Sequence, residues 1–291
     1  MSEPVVDAGN STVILVPAGA RPSRTLGRTL TRMPAWVGGI VGVVLLLIVW
    51  GVVAVTPFGR DGAIPTPLEV AVLFGQAFGS SSYWEGVGAT SLAALEGYVV
   101  GNLIGLLLAF VVLLVPRSEG ISTQLAVVTS CLPLTAIGPL AAIMSPAGSR
   151  FTSVFLAALS VVFTTVVGSI VGLKSASSTQ LDVISAYGGT RFTQIRKVRL
   201  IAAAPSLLAA LKIAAPAAFL GAVLGEYFLV GVDQGIGVLL LSAQFDNDST
   251  RVWVLALTSG AVAGAAYFLI DRVGRLLTPW SAGDRTKKAA F

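Results

Sequence analysis

Asp182-Val183-Ile184-Ser185-Ala186-Tyr187-Gly188-Gly189-Thr190-Arg191-Phe192 lies within a polar, basic stretch, 174–199, that separates two apolar runs at 151–173 and 200–224. Each run is long enough to cross a hydrocarbon core of about 30 Å as a helix rising about 1.5 Å per residue. A polar segment held between two such runs reads as a loop on an aqueous side of a membrane, and that reading decides the fold class. Working outward, further runs of spanning length occupy 36–56, 87–115, 121–145 and 252–270, which makes six. Backbone groups in lipid must pair within their own segment, and runs of this length fit helices rather than the short alternating strands of a barrel. The expectation is an all-α membrane protein built as a six-helix transmembrane bundle. Composition agrees: 55% of the chain is hydrophobic, 11% is charged and the mean hydropathy is +0.86, so a water-soluble fold would expose too much apolar surface.

Basic residues set the expected orientation. With the N-terminus inside, the cytoplasmic segments collect Arg21, Arg24, Arg28, Arg32, Arg117, Lys174, Arg191, Arg196, Lys197, Arg199, Arg272, Arg275, Arg285, Lys287 and Lys288. The opposite side keeps Arg60, Arg150 and Arg251, and Lys212 falls inside a span. This asymmetry predicts an N-in, C-in topology. The net charge of +5 therefore reports topology, and its spread over separate loops argues against a nucleic-acid surface.

The domain boundaries follow: a cytoplasmic N-terminal tail at 1–34, a membrane domain at 35–280 with the polar loop at 174–199, and a cytoplasmic C-terminal tail at 281–291. The tail is expected to be flexible over 1–30, and the first apolar run is too long for a cleaved secretory signal, so it reads as an uncleaved anchor. The single cysteine, Cys131, lies in an apolar run, has no intrachain disulfide partner and reads as a packing residue. In the first outer loop, Thr66-Pro67-Leu68-Glu69 carries a capping-box signal with proline at the first helical position. A short helix there would set Leu68, Val72 and Phe78 on one side, suited to the outer membrane interface or to a binding-protein contact.

Catalytic chemistry finds little support. The chain has no histidine, one cysteine and no Gly-x-x-x-x-Gly-Lys-Ser/Thr loop, so the commonest general base, a thiolate metal site and a nucleotide-hydrolysing loop are all missing from the sequence. No catalytic or metal-binding residue is assigned. An intramembrane protease would need paired aspartates or a serine and base within spans, and the acids fall mostly in loops.

Four ionisable residues nevertheless fall at or within spans: Glu96, Lys212, Glu226 and Asp271. A charge costs roughly 2.5–3.5 kcal/mol at the bilayer centre on insertion scales, so such groups face a bundle interior, a cavity or a partner. Glu96 is the opposite charge expected to pair with Lys212. Glu226 reads either as a pathway acid or as one satisfied by a helix end or a base. Asp271 reads as satisfied by Arg272 or Arg275. Pro133, Gly138 and Pro139 are expected to interrupt the third span, and Pro205 and Pro216 the fifth, either lining a pathway or kinking ordinary packing. Gly221 and Gly225 have the Gly-x-x-x-Gly spacing of close helix approach. The candidate pathway residues are Glu96, Pro133, Pro139, Lys212 and Glu226.

Within the polar loop, Leu181, Ile184 and Gly188 recur at helical spacing with Ser185 beside them, which predicts a short docking helix with one apolar or small side. Gly188-Gly189 permits a tight turn, and Arg191, Arg196, Lys197 and Arg199 form a basic approach to the next span. Anionic lipid alone would account for the bases but not for the apolar side and the paired glycines.

The run 182–192, followed by Val198-Arg199-Leu200-Ile201-Ala202-Ala203-Ala204-Pro205-Ser206-Leu207, resembles the EAA loop of binding-protein-dependent ABC importer permeases. Asp182 stands at the acidic position, Ala186 at an alanine and Gly188 at the glycine. Ile184 replaces an alanine and Ile201 a proline of the usual pattern. Most of 60–280 is similar to the nitrate, sulfonate and taurine branch of that family, through Ile64-Pro65-Thr66-Pro67, Thr90-Ser91-Leu92 with Glu96-Gly97-Tyr98, and Leu132-Pro133 with Gly138-Pro139-Leu140. Glu226, Gly235-Ile236-Gly237, Asp271 and Trp280 continue the match in order. The resemblance implies a type I permease-like fold in a bacterial plasma membrane, non-catalytic and without a cofactor of its own. Two partner ATPase subunits would bind ATP and Mg, a second permease subunit, identical or paralogous, would complete the path, and an extracytoplasmic binding protein would deliver a small organic anion or vitamin-precursor-like solute. Lipid would surround the bundle. It assigns ATPase coupling to Asp182, Ser185, Ala186, Tyr187, Gly188, Gly189 and Thr190. A stand-alone secondary transporter or channel using Glu96, Lys212 or Glu226 is the alternative class, for which an inverted repeat would be expected and none is visible; a scaffold subunit is a third.

Overall fold

A computed structural model describes residues 35–56, 63–229, 232 and 234–281. The N-terminal tail and the C-terminal tail beyond Ser281 lie outside the described residues, and with them seven of the expected inner bases, Arg21, Arg24, Arg28, Arg32, Arg285, Lys287 and Lys288, as does the outer Arg60. The chain divides into two compact units, 1–50 and 51–291. Helix α1, Ala35–Val55, carries no charged residue and is long enough to cross a membrane.

In the larger unit α2, Pro67–Ala77, opens with the expected capping box: Thr66 Oγ1 accepts from Glu69 N at 3.3 Å, and Thr66 N donates to Glu69 Oε2 at 2.8 Å. Leu68, Val72 and Phe78 are all exposed, as the spacing predicts. Then come α3, Ser81–Leu114; α4, Glu119–Cys131; α5, Leu134–Met144; α6, Phe151–Lys174; α7, Ser178–Ala186; and α8, Arg191–Gln194. A π-helical turn, Ile195–Arg199, leads into α9, Leu200–Glu226, followed by α10, Ile236–Phe245, and α11, Ser249–Leu277. Among the described residues every regular element is helical. Five helices have the length and composition to span, and α4 with α5 would supply a sixth.

One expectation holds and one is corrected. The third span is interrupted as expected, α4 and α5 meeting at 90°; Pro133 caps α5 at the corner while Pro139 sits within it. The fifth span is not interrupted, because α9 runs through both Pro205 and Pro216. A proline withholds the amide that would bond the carbonyl four residues earlier, here Ile201 and Lys212; hydroxyls from elsewhere in the unit bond the carbonyls next to these. Ser175 Oγ donates to the Ala202 carbonyl at 3.0 Å, and Tyr98 Oη to the Leu211 carbonyl at 3.2 Å. Hydroxyls from neighbours are one way in which prolines become tolerable in membrane helices.

Helix α6 is the axis of this unit, with Leu156, Ala157, Val161 and Val166 fully buried. Small residues bring both neighbours against it. Gly97, Gly101 and Gly105 of α3 lie over Ala157, Ala158, Val161 and Thr165, while Gly221 and Gly225 of α9 lie over Leu156 and Ser153. A Cβ placed at Gly225 would stand 2.5 Å from the Ser153 Cα. In lipid the hydrophobic effect gives helices no reason to associate, so such backbone contact supplies the dispersion energy instead. The Gly-x-x-x-Gly expectation at Gly221 and Gly225 therefore holds.

Candidate functional site

The polar loop folds into a short, tightly organised helical pair. Ser177 caps α7, its Oγ accepting from Gln180 N at 3.3 Å while Ser177 N donates to Gln180 Oε1 at 3.2 Å. At the other end Gly188 takes φ +76°, a left-handed conformation that glycine adopts without a Cβ penalty. The Gly189 amide then reaches back to the Ile184 carbonyl at 2.8 Å and the Gly188 amide to the Ser185 carbonyl at 2.9 Å, the paired bonds of a Schellman stop. Thr190 caps α8, its Oγ1 accepting from Thr193 N at 3.4 Å. Gln194 Nε2 ties the two helices together, donating to Ser185 Oγ at 2.7 Å and to the Leu181 carbonyl at 3.3 Å.

This arrangement reverses one expectation. The Leu181 and Ile184 side is turned inward, half-buried, with Ile184 against Gly189. The outward side presents Asp182, Val183, Ala186, Tyr187, Gly188 and Thr190, followed by Phe192. Tyr187 is 89% exposed at the tip. Ser185 is committed to the Gln194 staple and to the Leu181 carbonyl at 3.2 Å, and Gly189 to the turn, so both act inside the pair. Helix α8 continues through the π turn into α9 as one apolar helical run, Arg191–Glu226.

The candidate pathway residues are not gathered in one place. Glu96 is exposed midway along α3 and makes no ion pair with Lys212. Lys212 bonds instead to Asp271 Oδ1 of α11 at 3.2 Å, with its Nζ 5.5 Å from the centre of the Tyr267 ring. Arg275, one turn after Asp271, holds the other carboxylate oxygen at 2.6 Å, so the Arg275 alternative is correct and Lys212 is the partner that local spacing hides. Pro133 stands at the α4–α5 corner and Pro139 within α5. Cys131, at the end of α4, is exposed rather than packed.

Glu226, 2% exposed, is satisfied by a helix end, one of the alternatives open at the sequence level. Its Oε2 accepts from Gly237 N at 2.7 Å, at the start of α10, and Thr90 Oγ1 lies 2.8 and 2.9 Å from its two oxygens. Thr90 Oγ1 in turn accepts from Ile236 N at 2.8 Å. An acid at a helix N-terminus also meets the positive end of the helix dipole. A Cβ at Gly235 would stand 2.5 Å from the Glu226 carboxyl carbon, so that position needs glycine. Thr90 is the Glu226 partner that sequence reasoning passed over; its only signal was its place in the Thr90-Ser91-Leu92 match. Among the described residues no group of three or more His, Cys, Asp or Glu side chains could hold a metal.

Comparison with known proteins completes the picture. The family described as binding-protein-dependent transport system inner membrane component matches residues 101–282. The riboflavin transport system permease protein RibX of Chloroflexus aurantiacus is 27% identical over 256 residues, 88% of this chain and 94% of its own length. The formylaminopyrimidine transport permease protein ThiX of Halalkalibacterium halodurans is 24% identical, over 81% of this chain and 92% of its own. SsuC of Bacillus subtilis, named for aliphatic sulfonates transport, is 21% identical over 90% of this chain and 96% of its own. With the matched region running from within α3 through α11, the EAA-like helical pair included, the chain belongs to the binding-protein-dependent transport system inner membrane component family, the multi-pass plasma-membrane permeases of ABC importers.

Proposed function

We propose that this chain forms half of the translocation path of an ATP-driven importer for a small organic solute, and that it receives the energy of ATP through the helix at 182–190. The observation that carries the reading is the α7–α8 pair: capped at both ends, stapled internally, exposed along Asp182, Ala186 and Tyr187, and continuous with α9 through α8. An external ATPase needs such a rigid, protruding element to move the spans, because two discrete packings of a bundle are selected by force at its ends. Two ATPase subunits holding ATP and Mg, a second permease subunit and an extracytoplasmic binding protein complete the assembly, with the N- and C-termini in the cytoplasm. The names of its relatives frame the cargo as a vitamin, a vitamin precursor or a small organic anion.

The test is a reconstituted complex in which ATP hydrolysis and uptake are measured together. Replacing Gly188 with tryptophan adds bulk to the outer surface at a position with open space around it, and also strains φ +76° by about 1 kcal/mol or more. Tyr187→Ala removes the tip without touching the turn. Both variants should assemble in the membrane and lose most binding-protein-stimulated hydrolysis. Uptake at the wild-type rate in both would sink the coupling assignment.

A further inference from the structure

Towards the Lys174 end of α6, past the bond from Tyr98 Oη to the Leu211 carbonyl, α3 and α9 leave a groove of about 380 Å³ over α6. Its walls include Leu107 and Phe110 of α3, Ser169 and Leu173 of α6, and Leu200 and Leu207 of α9. Leu107, Phe110 and Leu200 are half-exposed or more, so the groove opens on the surface that this unit turns to the bilayer. Lipid tails are as apolar as leucine, so the groove by itself holds an acyl chain no better than the bilayer does. Selection has to come from polar groups at its end.

Both helices that flank the groove lead there to bases. Arg117 lies four residues after Leu113 of the wall, and Arg196 four before Leu200. A stem of that length can lie along the apolar wall with its guanidinium at the level of the lipid headgroups. Lys197 and Arg199 stand beside Arg196, and among the described residues none of these four bases has an ion-pair partner. Glu119, two residues from Arg117, is bonded to Lys174 at 2.6 Å, and Asp182 lies on the outward side of α7. The mouth of the groove therefore lacks a counter-charge of its own.

One donor lies deeper. Ser169 is the only polar side chain among the eleven wall residues; it is 4% exposed and its Oγ has no hydrogen-bond partner. It comes five residues before Lys174, about 7.5 Å along the helix. The headgroup layer is about 5–7 Å thick on each side of the hydrocarbon core, so Ser169 is level with the acyl ester carbonyls at the foot of that layer. Cations at the mouth, a hydroxyl donor one headgroup deeper and an apolar channel beyond it match the phosphate, ester and acyl chain of a phospholipid. A zwitterionic lipid would carry a further cation to a mouth that is already basic, and the matching face of a second copy of this chain carries the same bases.

We propose that this groove binds one anionic phospholipid, whose phosphate neutralises Arg117 and Arg196 and whose ester carbonyl accepts from Ser169. The site requires only that the chain lies in a membrane, and it stands whether or not 182–190 couples to an ATPase.

The test is native mass spectrometry of the full chain, purified in detergent with the subunits that accompany it and incubated with equal amounts of phosphatidylglycerol and phosphatidylcholine. One phosphatidylglycerol should remain per chain, about tenfold more often than phosphatidylcholine. Arg117→Gln with Arg196→Gln should bring that preference down to about twofold or less, whereas Arg251→Gln, a base that does not line the groove, should leave it unchanged. Ser169→Ala should lower retention of both lipids and keep their ratio, since both carry the ester. Leu200→Trp and, as a second plug, Leu107→Trp fill the groove from half-exposed positions and should remove the bound lipid of either kind. Equal retention of the two lipids by the wild type, or a preference that survives the double glutamine variant, would overturn the proposal. Retention that survives both plugs would overturn it as well, leaving only bulk attraction of anionic lipid to a basic surface. A wild-type chain that keeps no lipid would give the groove to a second copy or another protein element instead.

Discussion

A carboxylate as buried as Glu226 survives only when its oxygens are satisfied, and it achieves this by closing a ring through α3, α9 and α10. Glu226→Ala would leave the Gly237 amide buried without its acceptor, while the Thr90 hydroxyl would keep only the Gly86 carbonyl. Each unsatisfied group costs about 1–3 kcal/mol, so the thermal unfolding midpoint of the purified chain should fall clearly. Glu226→Gln keeps the volume and one acceptor and should cost less. Equal midpoints for Glu226→Ala and wild type would remove its structural role. The Lys212–Asp271–Arg275 cluster makes a second residue-scale prediction. Asp271→Asn leaves the Lys212 ammonium, mostly shielded from solvent, without its counter-charge. It should therefore destabilise more than Lys212→Met does, and the double variant should recover most of the loss. Additive losses in that cycle would mean the pair is not coupled. The Arg275 partner was legible because it lies one helical turn from Asp271. Lys212 lies 59 residues away, and no local spacing reveals a pairing set by how α9 and α11 pack, so Glu96 was the natural but mistaken choice.

Among the elements, the glycine seams decide how near the helices can come. Gly101 of α3 faces the backbone of α6 at Ala158, where a Cβ would fall within 2.9 Å of the Ala158 Cα. Gly101→Leu should force α3 outward and cost about 1–3 kcal/mol or more by overpacking. Gly88→Leu, on the same helix with nothing within 4 Å, is the control and should unfold near the wild-type temperature. If both variants behaved alike, the seam would not set the packing. At this scale the sequence was an uneven guide. The cap of α2 and the stop at Gly188 were legible because capping and left-handed turns are local chemistry, and the Ser177–Gln180 cap of α7 went unread although it is equally local. Gly221 and Gly225 showed as a spaced pair, yet the longer seam of Gly97, Gly101 and Gly105 went unread within a run chosen for its apolarity. Pro205 and Pro216 misled because a proline in a membrane helix does not by itself show whether the helix stops or runs on through it. The outward face of α7 was misjudged because an apolar stripe does not say whether it meets a partner or the chain's own next turn.

At the scale of the whole molecule the open choice is whether the bent α4–α5 pair crosses the membrane or returns to the side it came from, and the basic residues discriminate between the two. If the pair crosses, with the N-terminus inside, fifteen Lys and Arg lie in cytoplasmic segments and three outside, with Lys212 in a span. If it returns, every later segment inverts. Lys174, Arg191, Arg196, Lys197 and Arg199 move outside together with Arg272, Arg275, Arg285, Lys287 and Lys288, leaving seven inside against eleven outside. The positive-inside rule favours the first arrangement strongly, and only that arrangement puts the α7–α8 pair where an ATPase can reach it. Five spanning helices were thus legible from hydropathy, and a break in the third run from Pro133, while its angle was not, since a proline in an apolar run fits a kink as well as a right angle. Single cysteines in a Cys131→Ala background test the crossing directly. Asp246→Cys, in the loop between α10 and α11, should react with an impermeant maleimide on intact cells, and Thr179→Cys only in inside-out vesicles. The opposite pattern at both positions would make α4–α5 a re-entrant hairpin, or place the N-terminus outside, and would withdraw the coupling role from 182–190. A third cysteine, Gly120→Cys at the start of α4, separates those two outcomes, because it stays cytoplasmic for a hairpin and becomes external for an inverted chain.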